Sequence, residues 1–261
     1  MTANPKGTPR LRLRTAVTVA ALVLAVSALA AWRLHAPGAD RDDPARLVAL
    51  RRATPPEMVL VPAGEFLAGS NDADADDESR PKHREYLPAF YIDVHEVTNR
   101  EFHKFDPSHP IPPGEDDLPA NFITYAEAAA YAKWAGKRLP TDAEWEKAAR
   151  GTDGRRYPWG DTWDPKRVAQ RRRRPGDPST PHVLAAGKHC SIGPSRLQAV
   201  GSVPSGASPY GCLDMAGNAW EWVQGFYNGN PNQRVLRGGA IGYGERDCRT
   251  YVRSVEGDAD T

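Results

Sequence analysis

The sequence predicts an α+β domain of low regular secondary structure, with two main helices and short strands, preceded by an N-terminal membrane helix. Three observations predict it. The 23 Gly and 24 Pro among 261 residues punctuate the chain too often for long regular elements. Seven Trp provide the large, rigid anchors that irregular backbone needs. Only two segments join a strong helix-start signature to a helical apolar face and a glycine stop. Charge is nearly balanced at +1, so nothing draws the chain as a whole to a polyanion, and no nucleic-acid partner is expected.

The N-terminus differs in kind from the rest. Lys6, Arg10, Arg12 and Arg14 precede an uncharged apolar run over 16–32, which Arg33 closes. Basic residues before an apolar segment hold that end in the cytoplasm and send the remainder of the chain across the membrane. The run of 17 residues is at the short limit for a spanning helix. Ala28-Leu29-Ala30 also fits a small-x-small cleavage site, so the segment reads as either an anchor or a cleaved signal peptide. The organisation expected is a cytoplasmic basic segment over 1–15, an anchor or signal over 16–32, a tether over 33–55 and a folded domain over 56–261, single-pass and extracytoplasmic, or secreted if cleaved. In that compartment disulfides persist, and Cys190, Cys212 and Cys248 leave one thiol over, stay free, or pair between molecules.

Within the folded part, Met58-Val59-Leu60-Val61, ended by Pro62 and Gly64 and followed by Phe66-Leu67-Ala68-Gly69, reads as an opening strand and hairpin. Asp72, Asp74 and Asp76 imitate the start of an EF-hand loop. Asp77 stands where that loop needs Gly and His83 where it needs Glu, so 71–78 reads as a solvated loop. Residues 89–94 have strand composition. Thr98 with Glu101 caps a short helix reaching Phe105, and a Pro-rich loop runs to Pro119. The two main helices start at the capping boxes Thr124-x-x-Glu127 and Thr141-x-x-Glu144 and stop at Gly136 and Gly151. Leu139-Pro140 forces an extended link, so the two are expected to pack together at an angle. Arg171 to Arg174 lie in a Pro/Gly/Ser-rich stretch that reads as an exposed insertion.

The densest chemistry lies in Asp214-Met215-Ala216-Gly217-Asn218-Ala219-Trp220-Glu221-Trp222. Two carboxylates bracket a Gly-Asn pair, and a turn at Gly217 can aim both, with backbone carbonyls, at one hard cation such as Ca²⁺. The other reading is a buried aromatic corner whose carboxylates bond backbone amides. Arg234-Val235-Leu236-Arg237-Gly238-Gly239 comes next as a second rigid, basic, Gly-marked element.

These blocks, with Gly136-Lys137-Arg138-Leu139-Pro140-Thr141-Asp142-Ala143-Glu144-Trp145-Glu146, Tyr157-Pro158-Trp159-Gly160, and Glu96-Val97-Thr98-Asn99, occur in an order that resembles the formylglycine-generating enzyme (sulfatase-modifying factor) family. The resemblance runs from about Met58 to Arg253. It implies a C-type-lectin-like fold, often stabilised by Ca²⁺. Carried over by position, Asp214 and Glu221 give side-chain oxygens and Gly217 and Ala219 backbone carbonyls to one Ca²⁺. A second family Ca²⁺ site would start at Gln170, where the match fails. Trp220, Arg237 and Tyr243 fall where substrate-contacting or structural residues belong.

The family's oxidative chemistry uses two cysteines after the Arg-x-Gly-Gly element to bind Cu(I), a soft ion suited to thiolates. Here Cys248 stands at the second position as the one candidate catalytic residue, Tyr243 replaces the first, and Ala240 replaces a serine after the glycines. A phenol and one thiolate cannot make a two-thiolate copper site, so a buried or disulfide-bonded Cys248 is expected and Cu is disfavoured. The Gly-Phe-Arg-Cys closing strand common in the family has no match; either the terminus is substituted locally, or the domain is C-terminally incomplete and exposes a sheet edge. His83, His95, His103 and His109 show no paired ligand spacing. The expected function is a membrane-anchored extracytoplasmic domain of this family that binds a protein or peptide partner. The alternative is an oxidoreductase that generates formylglycine on a sulfatase-type substrate.

Overall fold

The computed structural model describes residues 57–169 and 197–257, all within a unit spanning Pro44–Thr261. The apolar run over 16–32, the tether, the arginine run, Gln170 and Cys190 lie outside them. Among the described residues no helix is long and apolar enough to cross a membrane.

Among the described residues, seven short strands form three antiparallel sheets. β1 (Met58–Val61) pairs with β4 (Phe90–Asp93), β2 (Gly64–Ala68) with β3 (His83–Leu87), and β5 (Glu221–Phe226), β6 (Gln233–Arg237) and β7 (Ser254–Gly257) make a sheet in that order. The expected hairpin between β1 and β2 therefore does not form. Between them the backbone turns at Gly64 (φ 141°), and the buried Lys147 ammonium donates to the Pro62 and Gly64 carbonyls at 2.8 Å each. That capture turns β2 away toward its own partner. Burial lowers the Lys147 pKa, and the two carbonyls satisfy its donors.

Three α-helices lie among the described residues: α1 (Asn99–Phe105), α2 (Tyr125–Trp134) and α3 (Asp142–Arg150). All three open with the expected capping boxes, from Thr98/Glu101, Thr124/Glu127 and Thr141/Glu144. The helix pairing differs from expectation. α2 meets α1 through stacked Phe102 and Tyr131 and tilted Phe105 and Trp134, whereas α3 packs mainly on β2 and β5. The Pro140 carbonyl explains this: it accepts from Gln224 N on β5, which splices the extended link into the sheet.

α3 is the centre of the domain. Trp145, Ala148 and Ala149 are fully buried with Val61, Cys212, Met215, Val223 and Val235. Its polar face is buried too, and there Glu146 and Arg150 are paired while Lys147 is held by carbonyls alone. Glu146 accepts from Arg150 (2.7 Å) through one oxygen and from Arg237 (3.0 Å) through the other. Arg237 also pairs with Asp142 and donates to the Thr250 and Val252 carbonyls, tying β6 to the C-terminal segment.

The segment 71–78 is a largely exposed loop, as expected, but its acids are engaged: Asp72 holds Arg156 at 2.7 and 2.9 Å and accepts from Tyr251 Oη, Asp74 pairs with Arg249, and Asp76 with Arg246. Its arginine partners lie 84 to 175 positions away, beyond any local pattern. At the far side, Ser254–Gly257 pairs along Gln233–Leu236, so a local strand covers the β6 edge, which is the first of the two alternatives the sequence leaves open.

Candidate functional site

The segment 213–221 forms a loop wedged between the β5–β6 end and the 197–201 strand of chain. Asp214 (φ 58°), Gly217 (φ 93°) and Asn218 (φ 63°) all take left-handed backbone angles, which winds the loop tightly. A β-carbon at Gly217 would stand 2.5 Å from Val168 Cγ1, so only glycine fits there. Leu213 N donates to Val94 O, Gly217 N to Gly238 O, and Ile241 N to Asn218 O, which pins the loop at three points. Asn218 is completely buried. Its Oδ1 accepts from Gln198 N, and its Nδ2 donates to Glu96 Oε2 and the Gln198 carbonyl.

This geometry gathers carboxylates that no cationic side chain among the described residues bonds. Asp214 Oδ2 accepts from Gly201 N at 2.5 Å. Glu221 Oε2 accepts from Trp145 Nε1 at 2.9 Å, linking the loop to the core of α3. Glu96 accepts from Asn218 Nδ2 and Ala219 N, both at 3.0 Å. Burial, followed by the Asp214 and Glu221 charges, pushes Glu96 well above the usual carboxylate range. Burial, together with Asp214 and Asp93 and against the Trp145 hydrogen bond, pushes Glu221 up to about 8. Burial also raises Asp214, despite the Gly201 amide. Three partly repelling acids around one buried loop fit a site that takes a positive charge.

Glu221 Oε1 and the Ala219 carbonyl lie 3.7 and 3.9 Å from the point a β-carbon on Gly238 would occupy, and the Trp145 ring is nearer still at 3.3 Å, so a side chain there would crowd all three. The two oxygens are hard donors, as Ca²⁺ demands. Among the described residues, no three His, Cys, Asp or Glu side chains converge as a metal group, so side chains alone do not build the centre. Sequence reasoning does not single out Glu96 as part of this loop's chemistry. Its signal is an acid two residues before a helix cap, but local spacing cannot reveal a contact with Asn218, 122 positions away.

The residues around the family's thiol positions are also placed. Cys248 is 2% exposed, among Val168, Ala216, Trp159 and Trp163, with its Sγ 3.1 Å from where a β-carbon on Gly239 would sit. Cys212 is buried in the separate core around Trp145. Both are free, and burial pushes each thiol up to about 12, so both stay protonated at neutral pH. Tyr243 is 40% exposed and meets the Trp220 ring edge-on at 5.4 Å. The Trp220 indole N–H is buried without an acceptor among the described residues. Arg237, completely buried and fully engaged with Asp142, Glu146 and two carbonyls, has no face left for a ligand.

Comparison with known proteins agrees with this arrangement. The family model described as the sulfatase-modifying factor enzyme 1-like domain matches residues 44–260. The chain is 29% identical over 242 residues to the mouse inactive C-alpha-formylglycine-generating enzyme 2, covering 72% of this chain and 75% of that one. It is 28% identical over 250 residues to the bovine formylglycine-generating enzyme, covering 74% of this chain and 64% of that one. It is 32% identical over 202 residues to YfmG, an uncharacterized protein of Bacillus subtilis, covering 64% of this chain but spanning only 41% of that one. The fold resembles that of PvdO from Pseudomonas aeruginosa, with a TM-score of 0.58, 22% identity, and coverage of 77% and 88% of the two chains. It also resembles Treponema denticola variable protein 1, with a TM-score of 0.59, 18% identity, and coverage of 77% and 89%. The chain belongs to the sulfatase-modifying factor, or formylglycine-generating enzyme, family.

Proposed function

We propose that this chain is a divergent member of its family that binds a protein or peptide partner outside the cytoplasm and does not generate formylglycine. The observation that carries the reading is the pair of positions 243 and 248. A half-exposed phenol stands at the first, and a buried neutral thiol at the second. The other described thiol, Cys212, belongs to a different core cluster. Linear Cu(I) ligation needs two convergent thiolates, and this arrangement offers none. The likeness to a mouse relative named as inactive supports the same view.

Asp214, Glu221 and the Gly217 and Ala219 carbonyls would hold a Ca²⁺, whose contribution is structural: it neutralises the buried carboxylates and fixes the loop that carries Trp220. The half-exposed Tyr243 ring, braced edge-on by Trp220, then presents an aromatic contact to the partner. Membrane anchoring through 16–32 rests on the basic-then-apolar N-terminal sequence.

The test restores the missing thiol. Tyr243→Cys, alone and with Ala240→Ser, should gain Cu(I) affinity over the parent protein in a competition titration against a Cu(I) chelator. A parent protein that already matches the variant would overturn the proposal. Formylglycine generation would then be the better reading, with Cys190 or Cys212 as the second sulfur.

A further inference from the structure

We infer that the acidic segment 72–78 is an ionic clamp on the segment 243–253, and that its release opens that segment locally while the Trp145 core stays closed. Alternate acids along one segment each hold a different arginine. Asp72 takes Arg156 through two bonds, Asp74 takes Arg249 at 2.9 Å, and Asp76 takes Arg246. Arg253 adds a bond to the Glu78 carbonyl. Arg80 donates to the Asp72 and Ala73 carbonyls, which bends the acidic segment into the shape that presents these rungs.

The clamp is graded along its length. At one end it is apolar and covered: Ala75 is buried with Tyr251 and Val252, and Ser79 Oγ donates to the Tyr251 carbonyl. At the other end it is ionic and open to water, with Asp76 and Arg246 side chains 45% and 54% exposed. Such pairs weaken with salt, because the screening length shrinks to about 3 Å near 1 M. Arg249 joins the two ends, since it also bonds Tyr157 and Tyr251, and Tyr157 in turn donates to Glu245. The rungs at Arg246 and Arg249 lie on either side of Cys248, so letting go of both frees the stretch that carries the Cys248 thiol from its cover of Val168, Ala216, Trp159 and Trp163. The Arg156 hydrogen bonds hold Asp72 at about 2 and the Arg249 hydrogen bond holds Asp74 low, so these two rungs stay ionised in the neutral range.

The experiment tracks the two described thiols of the Cys190→Ser protein with a maleimide, resolving Cys248 from Cys212 by peptide mass. Cys212, in the other core cluster, reports global opening. Raising salt from about 0.05 to about 1 M should speed modification of Cys248 and leave Cys212 unchanged. Asp74→Asn with Asp76→Asn at low salt should speed Cys248 about fivefold, as the loss of two exposed pairs implies. The charge swap Asp76→Arg with Arg246→Asp should return the rate toward the parent, which a merely structural role for either side chain would not do. A Cys248 rate indifferent to salt and to these variants would overturn the inference. So would equal acceleration of both thiols, because the opening would then be global.

Discussion

Arg237→Met tests whether the domain is organised around the buried charges of α3. Arg237 is completely buried and bonds Asp142, Glu146, Thr250 O and Val252 O. Methionine keeps most of the stem's apolar volume but leaves two carbonyls without donors and two acids short of a cation. Removing one partner of a buried pair costs about 3–5 kcal/mol. Glu146 keeps Arg150 and Asp142 keeps Arg253, so the lower end, about 3 kcal/mol, is expected. For a domain of this size that lowers the melting temperature by about 6–12 °C. Thermal unfolding at pH 7, monitored by near-ultraviolet circular dichroism of the tryptophans, measures it. Arg237→Met with Glu146→Gln should be less destabilised than the sum of the single changes, since the second change removes a charge left under-compensated. A loss below about 2 °C for the single variant would refute the reasoning, because a buried arginine with four partners cannot then be structural.

The same geometry sets three further outcomes. Chelation of divalent cations should lower the melting temperature, and Asp214→Ala should abolish that sensitivity, since a ligand of the folded form alone stabilises by mass action. Gly217→Ala should destabilise by about 2 kcal/mol, measured by urea unfolding, because a left-handed angle is strained for alanine and its methyl meets Val168. Asp72 is depressed to about 2, so its contribution is present above the ordinary aspartate range and is lost as pH falls through that value. Asp72→Asn should therefore flatten the part of the acid-unfolding curve that lies between about pH 4 and 2.

The helices are legible in the sequence because their start and stop chemistry is local. Each capping box joins residues three apart, and Gly136 and Gly151 take the positive φ that ends a helix. Strand pairing is not, since the nearest β1–β4 partners, Val61 and Phe90, are far apart in the chain, and Lys147 decides how the backbone turns between β1 and β2. The loop at 214–221 stands out through its Gly-Asn turn between acids. Its depth of burial and its third acid, Glu96, depend on contacts that no spacing encodes. The acidic stretch 71–78 reads as exposed, and much of it is; what its charge pattern cannot show is that the arginines that bind it come from 156, 246 and 249.

Under the proposed function, positions 243 and 248 do not make the family's copper centre. The most direct measurement supplies the reduced domain with Cu(I), O₂ and a cysteine-containing sulfatase-type peptide, and records oxygen uptake together with the mass of the peptide. The account predicts no tight Cu(I) binding, no oxygen consumption above that of the peptide alone, and a peptide of unchanged mass. One equivalent of tightly held Cu(I), with oxygen consumed and the peptide cysteine converted to formylglycine, would contradict it.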